Sequence, residues 1–227
     1  MEGTDRPAAQ ARTGLLDLVR DRGYERRQEP FQLSSGGSSL DYVDLRRALA
    51  RGEDLELAAR AVAGCLAEEG VEFDAIGGMT MGADPIAHAV AMVTRRSWYS
   101  VRKSQKGHGR QQRIEGAELG VGVRVVVVED TVTTGRALLE AVEVVRETGA
   151  EVVAACTILD RGTEVRPRVE ATGIRFLALL GFADLGIGPV PDSPQSMPAP
   201  DSPQSGPATH AAAPPPPAPA TDPATAG

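Results

Sequence analysis

The apolar and polar residues between positions 1 and 188 follow two alternating patterns. One repeats its apolar positions every three or four residues, as amphipathic helices do, and it covers residues 11–23, 53–70, 84–96 and 134–149. The other is a short, almost continuous apolar run, typical of buried strands, and it covers residues 73–78, 97–103, 124–130, 151–160 and a stretch near 174–182. Strand–helix alternation with fully apolar strands predicts an α/β protein with a mostly parallel central sheet flanked by helices.

Two segments lie outside this alternation. Residues 29–49 predict two short strands around a Ser/Gly turn. Residues 189–227 hold 13 of the 17 prolines and repeat the hexapeptide PDSPQS. Such a Pro/Ala/Ser-rich composition buries too little apolar surface to offset the entropy of ordering. The sequence therefore predicts one domain over residues 1–188 and a disordered tail over residues 189–227.

Charge and composition narrow the class of protein. The net charge is −7, which argues against a general nucleic-acid-binding protein. No apolar run is long enough for a transmembrane helix, and the N-terminus lacks the apolar stretch of a signal peptide. Cys65 and Cys156 have no nearby partners that would indicate a disulfide or a zinc site. We therefore expect a cytoplasmic protein that binds neither nucleic acid nor membrane.

The stretch RVVVVEDTVTTGRALLEAV, residues 124–142, carries the first candidate chemistry. A buried strand ends in two acids, Glu129 and Asp130, and a turn rich in Thr leads into a helix. The turn and the helix N-terminus present backbone N–H groups that suit a phosphate. Carboxylates accept hydrogen bonds from sugar hydroxyls, so the ligand indicated is a sugar phosphate. An ordinary polar turn with an Asp or Thr helix cap is the alternative.

The second candidate is a basic loop with the sequence SVRKSQKGHGRQQRIEG. It contains the only two lysines of the chain, Lys103 and Lys106, together with His108. Lys is a compact, mobile point charge, whereas Arg is a planar fork. This choice suggests a site where a small ammonium meets crowded phosphate oxygens. The alternatives are a solvated basic loop and an RNA-contacting patch.

The strand, acids and turn resemble the phosphoribosyl-pyrophosphate (PRPP) signature of type I phosphoribosyltransferases. The resemblance implies that Glu129 and Asp130 bind the ribose 2′- and 3′-hydroxyls. It also implies that the turn holds the 5′-phosphate, through Thr131, Val132, Thr133, Thr134, Gly135, Arg136 and Ala137.

The basic loop VRKSQKGHG is similar to the mobile catalytic loop of the orotate phosphoribosyltransferase family. This resemblance implies a homodimer in which Arg102, Lys106 and His108 act on PRPP across the interface, while Lys103 serves its own subunit. Arg161, in the LDRG of residues 159–162, and Thr133 would bind orotate. Residues 31–49 resemble the family's orotate-side segment, which forms a small N-terminal hood. The resemblance extends from about Leu15 to Gly188.

The reaction implied is Mg²⁺-dependent transfer of the ribosyl phosphate of PRPP to orotate, giving orotidine 5′-monophosphate and diphosphate in UMP synthesis. Mg²⁺ would be held mainly through PRPP, with no direct protein ligand. Lys103, Lys106 and His108 would be the catalytic residues. Two other functions fit parts of the sequence: a phosphoribosyltransferase for another base, and a regulator that only binds PRPP.

Several residues depart from the family or suggest purely structural roles. Many members have Lys where this chain has Ser34, and Tyr-Lys where it has Met81-Gly82. His88 is expected on a helix surface or in the core. Asp44 and Arg46 are expected to pair with each other.

Overall fold

The computed structural model describes residues 5–32, 38–104, 113–162 and 164–188. Its strands are β1 (Tyr24–Gln32), β2 (Ser38–Val43), β3 (Ala75–Met79), β4 (Ser97–Val101), β5 (Ile114–Gly116), β6 (Arg124–Val132), β7 (Glu151–Asp160) and β8 (Arg175–Gly181). Its helices are α1 (Asp5–Leu18), α2 (Leu45–Ala48), α3 (Gly52–Glu68), α4 (Asp84–Thr94), α5 (Arg136–Arg146) and α6 (Val165–Glu170). A π-helical turn, Val19–Gly23, extends α1, and a 3-10 turn, Phe182–Leu185, follows β8.

Six strands form the central sheet in the order β5-β4-β3-β6-β7-β8. All neighbouring strands are parallel except β5, which runs antiparallel to β4. The predicted mostly parallel sheet is therefore confirmed. Strand β6 lies in the interior of the sheet, so its carboxyl end opens between β3 and β7. In open parallel sheets this position, outside the carboxyl ends of the strands, is where ligands bind.

Helices cover both faces of the sheet because successive side chains of a strand point to opposite sides. Val126 and Val128 of β6 belong to the hydrophobic core that includes α1, α3 and α4. Val125 and Val127 belong to the second core, which includes α5 and α6. The apolar character of both faces explains why the strands read as continuous hydrophobic runs.

The small N-terminal unit is the antiparallel pair of β1 and β2. Arg27 lies over the ring of Tyr42, 4.1 Å from its centroid, and Tyr42 meets Phe31 edge to face at 5.3 Å. The two predicted strands are confirmed. The Ser/Gly turn between them, with Ser34, lies outside the described residues.

Three short elements, β5, α2 and α6, were not predicted from the sequence, and α2 lies within residues 29–49, where only strands and a turn were expected. Strand β5 has only three residues, and it forms because Ile114 pairs with Val101 of β4. Helix α6 has six residues and contains Pro167, so its sequence gives little helical signal. The predicted tail, residues 189–227, lies outside the described residues. Among the described helices, none is both long and apolar enough to cross a membrane.

Candidate active site

Glu129 and Asp130 lie in the second half of β6, towards the carboxyl end of the strand. The Glu129 residue is only 7% exposed, and its Oε2 atom has no hydrogen-bond partner among the described residues. Asp130 Oδ1 accepts a hydrogen bond of 2.7 Å from the backbone N–H of Thr131. A buried carboxylate oxygen without a donor is costly unless a ligand supplies one.

The environment of Glu129 also alters its ionisation. Burial, with a smaller contribution from the negative charge of Asp130, raises the pKa of the Glu129 carboxyl to about 8. The positive charge of Lys103 acts in the opposite direction. Lys103, from a separate loop, lines the same cleft as Glu129 and acts on its charge.

The predicted phosphate-binding turn forms one wall of a cleft of about 490 Å³. The cleft is lined by Met79, Lys103, Glu129, Thr131, Val132, Thr133, Thr134, Gly135, Arg136, Ala137, Leu138 and Glu140. Gly135 has a positive φ of 70°, a conformation that favours glycine, and α5 begins at the next residue. Backbone N–H groups at a helix start are suited to an anion. The structure thus brings all seven predicted residues of the turn together with Lys103 and Glu129.

Helix α6, which was not predicted, supports this turn from behind. Arg168 donates a hydrogen bond of 2.5 Å to the carbonyl of Thr134. A Cβ atom at Gly135 would lie 3.2 Å from Cγ1 of Val165. The turn therefore rests on α6, and the positive φ of Gly135 together with this close contact disfavours a side chain there.

Of the four predicted loop residues, Arg102 and Lys103 lie among the described residues. Lys103 lies in the cleft, whereas Arg102 donates a 2.8 Å hydrogen bond to Glu115 of β5. Lys106 and His108 lie outside the described residues. Arg102 does line a second, neighbouring cleft of about 730 Å³, together with Lys103, Asp84 and His88.

Arg46 was predicted to pair with Asp44, and this prediction is wrong. Asp44 instead caps α2 by accepting a hydrogen bond of 3.1 Å from the backbone N–H of Arg47. Arg46 extends towards the site, where its Nε atom lies 3.8 Å from Oδ2 of Asp130. Sequence reasoning missed this contact because the two residues are far apart along the chain. Gly82 was also missed as a neighbour of both acids.

Arg161 lies directly after β7, and its backbone N–H bonds to the carbonyl of Val132 in β6 at 2.8 Å. Its Nε and Nη2 atoms are buried and have no hydrogen-bond partner among the described residues. The guanidinium lies 5.1 Å from the ring centroid of Phe182. Burial lowers the pKa of Arg161. An unpaired, buried guanidinium is a strong candidate for binding an anionic group such as a carboxylate.

Comparison with known proteins agrees with this geometry. Residues 48–173 match the phosphoribosyl transferase domain family. An orotate phosphoribosyltransferase of Streptomyces coelicolor is 45% identical over 179 residues, which is 76% of this chain and 96% of the relative. The chain belongs to the orotate phosphoribosyltransferase family. The family predicted from residues 124–142 and from the basic loop is therefore confirmed.

Solved structures of the orotate phosphoribosyltransferase family support the fold. The Mycobacterium tuberculosis enzyme in complex with Fe(III) dicitrate has a TM-score of 0.67 and 40% identity. The same enzyme in complex with PRPP has a TM-score of 0.64 and 38% identity. Each comparison covers 78% of this chain and 99% of the other. The type I phosphoribosyltransferase fold is confirmed.

The second cleft shows how a family member without the Tyr-Lys pair arranges this region. Asp84, at the start of α4, accepts hydrogen bonds from Thr80 at 2.6 Å and Ser100 at 2.7 Å. His88 meets the ring of Trp98 edge to face at 4.4 Å. The expected helix-surface location of His88 is thus refined to a contact with a half-exposed tryptophan at the rim of the cleft.

Proposed function

We propose that this chain is an orotate phosphoribosyltransferase that converts PRPP and orotate into orotidine 5′-monophosphate and diphosphate in UMP synthesis. The observation that carries the proposal is the meeting of three features in one cleft. These are Glu129 near the end of β6, the Thr131–Ala137 turn at the start of α5, and Lys103. Asp130, the next residue along β6, lines an adjoining cleft with Arg46. Together they match the hydroxyls, the phosphate and the diphosphate charge of PRPP.

The sugar and its phosphate would bind at the two carboxylates and the turn. The ribose hydroxyls would donate to Glu129 and Asp130, which gives the unsatisfied Oε2 of Glu129 a donor. The 5′-phosphate would accept hydrogen bonds from the backbone of Thr131 to Ala137. These contacts fix the orientation of C1, the carbon at which the bond to diphosphate breaks.

The departing diphosphate gains negative charge while the ribose ring gains positive charge. Lys103, which lines the cleft, would stabilise that negative charge from its own subunit. From the family resemblance, Lys106, His108 and Arg102 would add positive charge from the partner in a homodimer. The electron pair of the C1–O bond leaves with diphosphate, N1 of orotate forms the new bond to C1, and the proton that N1 carried is released.

Orotate carries a carboxylate, and Arg161 is proposed to bind it. The buried Nε and Nη2 atoms of Arg161 would gain the acceptors they lack among the described residues. A guanidinium can hold a carboxylate through two parallel hydrogen bonds. Thr133 is proposed as the second orotate-binding residue from the family resemblance, and it lies in the part of the turn that lines the cleft. A purine base lacks a carboxylate to match Arg161.

Mg²⁺ is part of the proposal. Among the residues that the structure describes, no group of three or more His, Cys, Asp or Glu side chains is arranged to hold a metal ion. Mg²⁺ in phosphate-transferring sites takes few protein ligands and several from the substrate's phosphates. That donor set suits PRPP bound at this cleft, so PRPP is proposed to supply its ligands. When bound, the ion would offset negative charge on the diphosphate.

The test is orotate consumption, followed by the loss of its ultraviolet absorbance in the presence of PRPP and Mg²⁺. The proposal expects orotate to disappear with equimolar release of diphosphate. Parallel reactions with adenine, hypoxanthine and uracil should release none. Diphosphate release with a purine but not with orotate would contradict the proposal. PRPP binding without turnover of any base would favour a regulator instead.

A further inference from the structure

An acidic side chain lies in the anion-binding cleft. Glu140 of α5 lines the 490 Å³ cleft alongside Lys103 and the phosphate-binding turn. A carboxylate in this position would repel a phosphate ligand, and it would also attract the ammonium of Lys103. A phosphate-binding cleft that contains a carboxylate needs a positive charge to neutralise that carboxylate.

Arg113 makes that neutralising contact. Its Nη2 atom lies 2.5 Å from Oε1 of Glu140, and its side chain is only 21% exposed. The contact joins β5's N-terminal flank to α5, the helix that begins at the phosphate-binding turn. Partial burial strengthens such a pair relative to one in open solvent.

The same guanidinium also holds the backbone that carries Lys103. Arg113 Nε donates to the carbonyl of Arg102 at 2.9 Å, and Nη2 donates to the carbonyl of Lys103 at 3.3 Å. The backbone N–H of Arg102 in turn donates a hydrogen bond of 2.7 Å to the carbonyl of Arg113. One side chain therefore fixes the start of the basic loop and Glu140 relative to each other.

We infer that Arg113 is a positioning residue for the phosphoribosyl transfer, acting through Glu140 and Lys103. It pairs with the carboxylate of Glu140, so that the ammonium of Lys103 stays available for the ligand's phosphates. It also anchors the backbone of Lys103 beside the cleft. This inference rests on the proposed function, since it assigns the cleft to the phosphates of PRPP.

The arrangement makes a specific prediction about two substitutions together. Arg113→Gln exposes the charge of Glu140 to the ligand and lets Glu140 pair with Lys103. Glu140→Gln removes the charge while leaving an amide oxygen that still accepts from Arg113. If Arg113 acts by neutralising Glu140, the second substitution repairs most of the damage caused by the first. A residue that only supports the fold would not show this repair.

The experiment measures dissociation constants of PRPP and of diphosphate, with Mg²⁺, by calorimetric titration for wild type, both single variants and the double variant. Arg113→Gln should weaken PRPP binding about tenfold, as expected for the loss of a charged hydrogen bond. The double variant should return to within about threefold of wild type. Arg60→Gln, which breaks the exposed Glu56–Arg60 pair on α3, is the control and should change nothing.

Thermal melting of each variant separates positioning from folding. If Arg113→Gln does not fold, Arg113→Lys is measured instead. Because Lys keeps the charge beside Glu140, the inference expects PRPP binding within about threefold of wild type, and a loss of about tenfold would contradict it. A double variant that binds no better than Arg113→Gln would overturn the inference, as would wild-type affinity in Arg113→Gln. Diphosphate binding keeps this test independent of turnover. A wild type that binds diphosphate but never consumes orotate contradicts the proposed function, while the diphosphate constants still decide the role of Arg113.

Discussion

Gly82 lies so close to Glu129 that a Cβ atom at position 82 would be 2.7 Å from Glu129 Oε1. The same atom would lie 3.1 Å from Oδ1 of Asp130. The turn after β3 thus packs its backbone directly against both proposed ribose-binding acids. The absence of a side chain at this position is what allows the two carboxylates to stay where they are.

Gly82→Ala tests this close approach. The added methyl group must displace the Glu129 carboxylate, so we expect KM for PRPP to rise about tenfold, a loss of about 1.4 kcal/mol of binding. The effect on kcat should be smaller. Steady-state kinetics with varied PRPP measures both. Gly120→Ala, at a position where a Cβ meets nothing within 4 Å, is the control. Unchanged kinetics in Gly82→Ala would show that the acids can move freely without loss.

Glu129 should make stability depend on pH. Its pKa is raised from the ordinary 4.5 to about 8 in the folded protein, so the native state binds the proton more tightly than the unfolded state. Its contribution to stability is therefore fully present below about pH 4.5 and is lost as pH rises through about 8. Glu129→Gln has no such titration. Its stability relative to wild type should increase between these two pH values by about 1–3 kcal/mol.

Urea denaturation of the ligand-free proteins at several pH values measures this difference. The exposed Glu143→Gln on α5 serves as the control and should track wild type throughout. A difference between Glu129→Gln and wild type that stays constant with pH would show that Glu129 ionises normally.

We expect Arg161 to lower the stability of the protein while it contributes to orotate turnover. Its Nε and Nη2 atoms are buried without hydrogen-bond partners among the described residues, so replacing Arg161 with Met removes a desolvation cost. We expect Arg161→Met to raise the melting temperature by about 2–4 °C. We also expect kcat/KM for orotate to fall by about 10²–10³. Arg60→Met, which breaks an exposed pair with Glu56, should show neither change. A lower melting temperature for Arg161→Met would mean that Arg161 has a structural partner.

Subunit exchange tests the proposed action of the loop across a homodimer. Lys106→Ala and Asp130→Asn should each be inactive alone, because one damages the loop and the other the ribose site. In a mixed dimer, one site has both defects and the other has none. With equal amounts and random exchange, about a quarter of wild-type activity should return. If mass measurement confirms mixed dimers and no activity appears, the loop serves its own subunit.

The part of the site that could be predicted from the sequence is the part that is local in sequence. Glu129, Asp130 and the Thr131–Ala137 turn follow one another along a strand, a turn and a helix, so their relation is fixed by the β6–α5 connection. The alternation of helical and strand patterns likewise gave the sheet, because each strand is buried on both faces.

The rest depends on contacts between distant segments. The approach of Arg46 to Asp130 requires α2 to lie beside the end of β6, and no local pattern encodes that arrangement. Nε and Nη2 of Arg161 are buried without hydrogen-bond acceptors among the described residues, and this environment can be seen only in a structure. Arg113 belongs to the basic loop, and its sequence neighbours do not indicate a partner. Its contact with Glu140 spans 27 positions.

The central claim is that the two acids of β6 hold the ribose of PRPP during transfer to orotate. The most direct measurement is orotate consumption by Glu129→Gln/Asp130→Asn, compared with Glu143→Gln/Glu147→Gln, which removes the same charge from exposed positions at the far end of α5. The acid variant should stay folded and lose at least about 10²–10³ of the wild-type rate, while the control keeps it. Near-normal turnover by a folded Glu129→Gln/Asp130→Asn protein would contradict the ribose-binding role and the site built around it.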